Sequence, residues 1–231
     1  MRLRRGFSVC VQGLCCFQSY GLERFRVLGH FDTVLDNLDR HSVDELMIIS
    51  PRSNPVNGKF TSIALEELAK RYIPVPLIQA GHLEDHRTFD THADLGFCER
   101  FVFTRALYDQ NTYWIDRYAE AFGAQAIIGC FQVSYTDSTG PIFLSDGKSR
   151  PLTAKDIDYA FEKCDEVIIQ QINRFGHLDG FDLALLSRVD LELERTILNG
   201  GVGYAASTFA ASNGLAAVYF DNSTFHKEGR A

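Results

Sequence analysis

The sequence predicts an α/β protein, a single (β/α)8 TIM barrel, on three observations. Short β-branched or apolar runs recur with helical segments between them, the cadence of repeated βα units on a parallel sheet. There are eight such runs, the number that closes a barrel. The 231 residues fit the roughly 200 to 250 that one such barrel occupies. No domain linker interrupts 1–231, so one domain is expected.

In chain order, the run Phe7–Val11 is the first strand, and Asp32–Arg40 the first helix, with Val34, Leu35 and Leu38 on one face. Glu45–Ile49 is continuously apolar after its first residue, as a strand covered on both sides requires. Ser62–Arg71 repeats the helical spacing with Ile63, Leu65 and Leu68, and Thr61 stands near its start as a cap. Val75–Gln79 and Phe101–Thr104 are the third and fourth strands, followed by the helices Glu84–Asp94 and Asp109–Ala121. Phe101, Phe103, Tyr113, Trp114 and Tyr118 read as packing around this fourth unit. After the fifth strand, Ala126–Gln132, the stretch Ser134–Pro151 sets Gly, Ser, Asp and Pro around Ile142–Leu144 and predicts an elaborated loop. Ala154–Lys163 is the next helix, then strand Glu166–Ile172, helix Asp182–Val189 with Asp182 as cap, strand Thr196–Leu198, helix Tyr204–Ser212 and strand Leu215–Tyr219. Only Asn222 to Ala231 remain, so the last helix is expected to be short or missing.

Composition narrows the partners. A formal charge of −7 gives no electrostatic reason to expect nucleic acid or an anionic membrane. Cys10, Cys15, Cys16, Cys98, Cys130 and Cys164 follow no zinc or disulfide-scaffold spacing. The apolar run after the basic start is broken by Gln12 and Gln18, which fits neither a signal peptide nor a membrane span. A cytoplasmic protein is expected. His82 and His86 flank Glu84 at i, i+4 spacing, but the order is not H-E-x-x-H. No metal and no cofactor is expected.

The segment from Asp165 to Asp182, DEVIIQQINRFGHLDGFD, resembles strand six of the cyclase subunit of imidazole glycerol phosphate synthase, roughly E-I-L-L-T-S-I-D-R-D-G-T-x-x-G-Y-D. Arg5 and Cys10, Asp44-Glu45-Leu46, Leu83-Glu84-Asp85 and Asn199-Gly200-Gly201-Val202-Gly203 extend the resemblance over most of the chain. It implies the same barrel, with chemistry at the C-terminal ends of the strands. At those ends the family carries aspartates, two of them its general acid and base. This sequence has Gln12, Ser50, Gln132, Asn173 and Phe175. An amide cannot titrate, so the parent cyclisation is expected to be absent. Gln12, Ser50, Gln132, Gln170, Gln171, Asn173 and Asn199 either line an uncharged pocket or only satisfy polar demands inside the mouth.

The resemblance further implies phosphate sites at Gly81, Thr104, Arg105, Gly176, Gly200 and Gly201, although Asp221 falls where a phosphate-contacting serine is expected. At the opposite end, Arg5, Glu45, Arg100 and Glu166 match a charged cluster through which ammonia enters from a bound glutaminase, and Glu99 matches a position that meets that partner. The same charges also read as a structural salt-bridge ring. His177 and Asp179 are the candidates for a substitute acid–base pair. Divergent relatives without the aspartates feed nitrogen into surface-polysaccharide amino sugars, and this sequence is similar to them. Three functions follow as expectations: a synthase-type subunit that partners a glutaminase and channels ammonia; a pseudoenzyme binding or scaffold barrel; or an isomerase or lyase on a phosphorylated sugar. A small-molecule ligand, phosphorylated or not, is the expected partner besides the glutaminase.

Overall fold

The computed structural model describes residues 2–38, 42–50, 66–177 and 180–221. Strand β1 (Arg4–Gln12) is followed by a hairpin of β2 (Cys15–Tyr20) and β3 (Arg24–His30), then α1 (Phe31–Leu38) and β4 (Glu45–Ile49). Next come β5 (Leu77–Ala80), α2 (His86–Leu95), β6 (Arg100–Phe103), the short α3 (Arg105–Tyr108) and α4 (Tyr113–Phe122). The strands β7 (Ile127–Thr136), β8 (Gly140–Ser145) and β9 (Lys148–Pro151) precede α5 (Ala154–Lys163) and β10 (Glu166–Gln171). The chain closes with β11 (Thr196–Asn199), α6 (Tyr204–Ser212) and β12 (Ala217–Phe220). The strands β1, β4, β5, β6, β7, β10, β11 and β12 pair in parallel in that order, and β12 returns to β1. The ring is the expected (β/α)8 barrel.

Several elements depart from the sequence reading for local reasons. The expected helix Glu84–Asp94 begins at His86 because Asp85 is extended and its carboxylate accepts the Thr88 N–H at 2.9 Å. The expected helix Asp109–Ala121 begins only at Tyr113, after a turn at Gln110, whose φ is 51°, and a separate short helix, Arg105–Tyr108, precedes that turn. The expected helix Asp182–Val189 is a 3-10 segment, Leu183–Arg188. The elaborated loop after the fifth strand is an antiparallel extension of β7 through β8 and β9. Residues 66–69 are helical, whereas Thr61, most of the apolar face of Ser62–Arg71 and the whole segment after Asp221 lie outside the described residues. The β2–β3 hairpin was not expected at all.

Strand parity sorts the side chains into two cores. Phe7, Val9, Leu46, Ile48, Phe101 and Phe103 pack outward beneath the helices. Cys10, Met47, Ile78, Val102, Ile168 and Tyr219 fill the barrel, and Phe175 with Phe17, Leu22 and Phe25 of the hairpin close over part of its mouth. Tyr219 is fully buried, and its ring occupies the space that a side chain at position 6 would need; only Gly6 fits opposite it.

Outside the barrel, His92 on α2 is 1% exposed and bridges Gln79 Oε1 at 2.7 Å and the Tyr118 hydroxyl at 3.0 Å. Burial pushes its pKa down to about 4. The unfolded chain takes up this proton near pH 6.5. Stability is therefore full above that value and is lost as pH falls toward 4, by roughly 3 kcal/mol in total. Urea titrations at neutral and mildly acid pH check this: His92→Gln is expected to flatten the difference, and an unchanged pH slope in that variant would contradict the assignment.

Candidate ligand site at the barrel mouth

The C-terminal ends of β4 to β7 and β10 surround a cavity of about 440 Å³, within the range of small-molecule sites. Its apolar base is Met47, Ile49, Val102 and Cys130. The turn of the first hairpin, Gly21 to Glu23, and the β8–β9 turn, Asp146 and Gly147, form its rim. Leu22 reaches this position through a positive φ of 61°. The hairpin is held down by Gly21 N–H, which donates to the Phe175 carbonyl at 3.0 Å, and by Gln18, whose amide donates to the Gly176 carbonyl at 3.4 Å.

Of the pocket residues read from the sequence, Ser50 and Gln132 line this cavity, together with Gln170. Asn199 lies deeper and is fully buried: its Nδ2 donates to Ser8 Oγ at 3.0 Å and to the Tyr219 carbonyl at 3.1 Å, and its Oδ1 accepts from Gln170 Nε2 at 2.7 Å. Three expectations are corrected. Gln12 is half-buried and paired with Cys15 in the hairpin ladder, away from the cavity. Gln171 has the parity of the outer face, and its Oε1 accepts the Asp182 N–H at 2.8 Å. Asn173 is exposed and bonds to the Tyr135 backbone, its amide donating to the carbonyl at 3.0 Å.

The anion sites are altered as well. Asp221 is 1% exposed, and its Oδ2 accepts the Gly176 N–H at 2.8 Å and the Gly201 N–H at 3.0 Å. A carboxylate oxygen thus sits where a phosphate oxygen was expected, and the two donors are in use. Gly200, with φ of 92°, presses against the Gln171 backbone, where an added Cβ would collide. Gly81 has φ of 87°, and a Cβ on it would fall 2.5 Å from the Ser50 carbonyl oxygen. Thr104 and Arg105 do line the cavity. However, Arg105 Nε lies 3.2 Å from Asp109, 3.7 Å from Glu84 and 3.7 Å from Asp146.

His177 is exposed and stacks edge-on against Tyr20, with ring centroids 5.6 Å apart. It does not line the cavity, and Asp179 lies outside the described residues. His82 lines the cavity with φ of 57°, whereas His86 bonds to Arg117 at 2.9 Å. Among the described residues no group of three His, Cys, Asp or Glu side chains is placed to hold a metal, and no helix is long and apolar enough to cross a membrane.

At the opposite end Glu45, Arg100 and Glu166 meet in a charged ring as expected, and only its first-strand member differs, by one residue. Arg5 is exposed, and its backbone N–H bonds to Asp44. The inward guanidinium is that of Arg4: it reaches Glu166 at 2.5 Å and Glu45 at 3.6 Å. Arg100 reaches Glu166 at 2.6 Å and Glu45 at 4.0 Å. The Tyr219 hydroxyl donates to Glu45 at 2.9 Å from above. Burial raises the Glu45 pKa, against the pull of Arg4. Glu99 is exposed beside this floor.

No protein-family model matches the chain. Imidazole glycerol phosphate synthase subunit HisF of Leuconostoc mesenteroides subsp. mesenteroides is 24% identical over 167 residues, covering 69% of this chain and 64% of that protein. The subunit HisF of Lysinibacillus sphaericus is 26% identical over 177 residues, covering 72% and 67%. This chain is a divergent relative of HisF. The match spans slightly less than two thirds of the first of these proteins. Within the HisF-like barrel, sequence reasoning missed Arg4, the Tyr219 plug and the rim made by the first hairpin. Strand parity was the signal for Arg4, since it shares the inward face with Gly6, Ser8 and Cys10.

Proposed function

We propose that this chain is the synthase-type barrel subunit of a two-component assembly in which a glutaminase supplies ammonia, and that its mouth no longer performs the parent cyclisation. The floor carries the reading: Arg4, Arg100, Glu45 and Glu166 contact one another at the end of the barrel opposite the cavity, and Glu99 stands exposed beside them. A docked glutaminase would deliver ammonia at that ring. The cavity-facing ends of β7 and β10 offer Gln132 and Gln170 instead of titrating carboxylates, which supports a changed reaction. Nitrogen transfer to an amino sugar of a surface polysaccharide is the reaction this reading favours, and glutaminase and sugar-modifying genes beside this one would be the matching observation.

The test is sedimentation and glutamine hydrolysis with the purified glutaminase subunit of an imidazole glycerol phosphate synthase. Binding is expected, with faster glutamine hydrolysis, and Glu99→Lys is expected to weaken it at unchanged stability. Absence of any complex at micromolar concentration sinks the proposal. Formation of imidazole glycerol phosphate with ammonium as nitrogen source would overturn the second half.

A second reading, a binding barrel with no channel, is favoured by Tyr219, whose ring is fully buried inside the barrel and bonds to Glu45 of the floor. The two readings part on whether ammonia released by a docked glutaminase is retained or escapes into solution. The isomerase or lyase alternative finds less support, because the Gly176 and Gly201 donors are taken by Asp221.

A further inference from the structure

The hydrogen-bond chain inside the barrel determines what the cavity presents to a ligand. The Tyr219 carbonyl only accepts, so the Asn199 group facing it is Nδ2. Asn199 Oδ1 then faces Gln170, and only Gln170 Nε2 can answer it. Gln170 Oε1 is left as the end without a partner: it makes no hydrogen bond among the described residues, although the residue is 2% exposed and borders the cavity. A carbonyl so placed demands a donor. Its register neighbour on β7, Gln132, borders the same cavity, and its side-chain amide makes no hydrogen bond among the described residues either.

The charges around the cavity argue against an anionic ligand. Arg105 is within 3.7 Å of three carboxylates, and Lys148 lies 3.9 Å from Asp109. Among the described residues, Glu23, Glu84 and Asp146 on the lining outnumber these two cations. The nearby glycine cradle is filled by Asp221.

We infer that the mouth cavity binds an uncharged small molecule bearing several hydroxyl or amide N–H groups, with Gln170 Oε1 as fixed acceptor and the Gln132 amide as a second contact. The assignment concerns the mouth whatever docks at the floor, so its failure and the failure of glutaminase binding are separate results.

Calorimetric titration of the full chain with D-glucose, N-acetylglucosamine and glucose 6-phosphate tests it. At least one of the two neutral sugars is expected to bind saturably in the millimolar range, and glucose 6-phosphate no more tightly than glucose. Gln132→Leu removes an amide that makes no hydrogen bond among the described residues, so its thermal unfolding should match or exceed that of the parent while sugar affinity falls about threefold to tenfold. No saturable binding of either neutral sugar, tighter binding of the phosphorylated one, or unchanged affinity in Gln132→Leu each overturns the assignment.

Discussion

Glu166→Ala is expected to destabilise the protein by roughly 3–5 kcal/mol, the range for breaking a buried ion pair by removing one partner. Glu166 is 6% exposed and shares its two oxygens between Arg4, at 2.5 Å, and Arg100, at 2.6 Å. Its removal leaves two guanidinium groups in the barrel floor with only longer contacts among the described residues to balance them, Glu45 for both and the half-exposed Asp165 at 3.5 Å for Arg100. Denaturant titration measures the loss, and the double variant Arg4→Ala with Glu166→Ala should recover part of it, because one stranded charge goes too. A loss below about 1 kcal/mol would mean that the floor is wet, like a surface pair.

Tyr219→Ala is expected to cost roughly 3–5 kcal/mol as well, by a different route: an aromatic ring leaves a void in a closed core. Gly6 stands opposite the ring and has no side chain to move into the gap. Tyr219→Phe keeps the ring and loses only the hydroxyl bond to Glu45, so it should cost about 1 kcal/mol. The contrast between the two substitutions, read by urea midpoints, separates plug from hydrogen bond. Equal losses would place the stabilising role on the hydroxyl.

The barrel itself was legible because eight apolar runs and seven intervening helical patterns leave few other topologies. Glu45–Ile49, Ala154–Lys163 and Tyr204–Ser212 recur with unchanged boundaries. What the sequence hid was direction. Barrel strands are covered on both faces, so their apolar runs do not alternate, and nothing local distinguishes inward from outward. A slip of one residue then exchanges faces, which is how Arg5 stood in for Arg4 and Gln171 for a pocket residue. The first hairpin was hidden for another reason. Cys15–Tyr20 mixes Cys, Phe, Gln and Ser without clear alternation, and its turn depends on Leu22 taking a left-handed conformation that its residue type does not announce. Gln132 was legible by contrast, because a glutamine closing an apolar strand is conspicuous wherever it points.

Asp221 has one more consequence. A cradle of backbone N–H groups that takes its anion from solution is stabilised by mass action, and its order rises and falls with ligand concentration. Here the anion is covalently part of the last strand's end, present at an effective concentration that no buffer component matches. This side of the mouth is permanently occupied, so the loop from Phe175 to Gly176 and the turn at Gly201 are held in place before any substrate arrives.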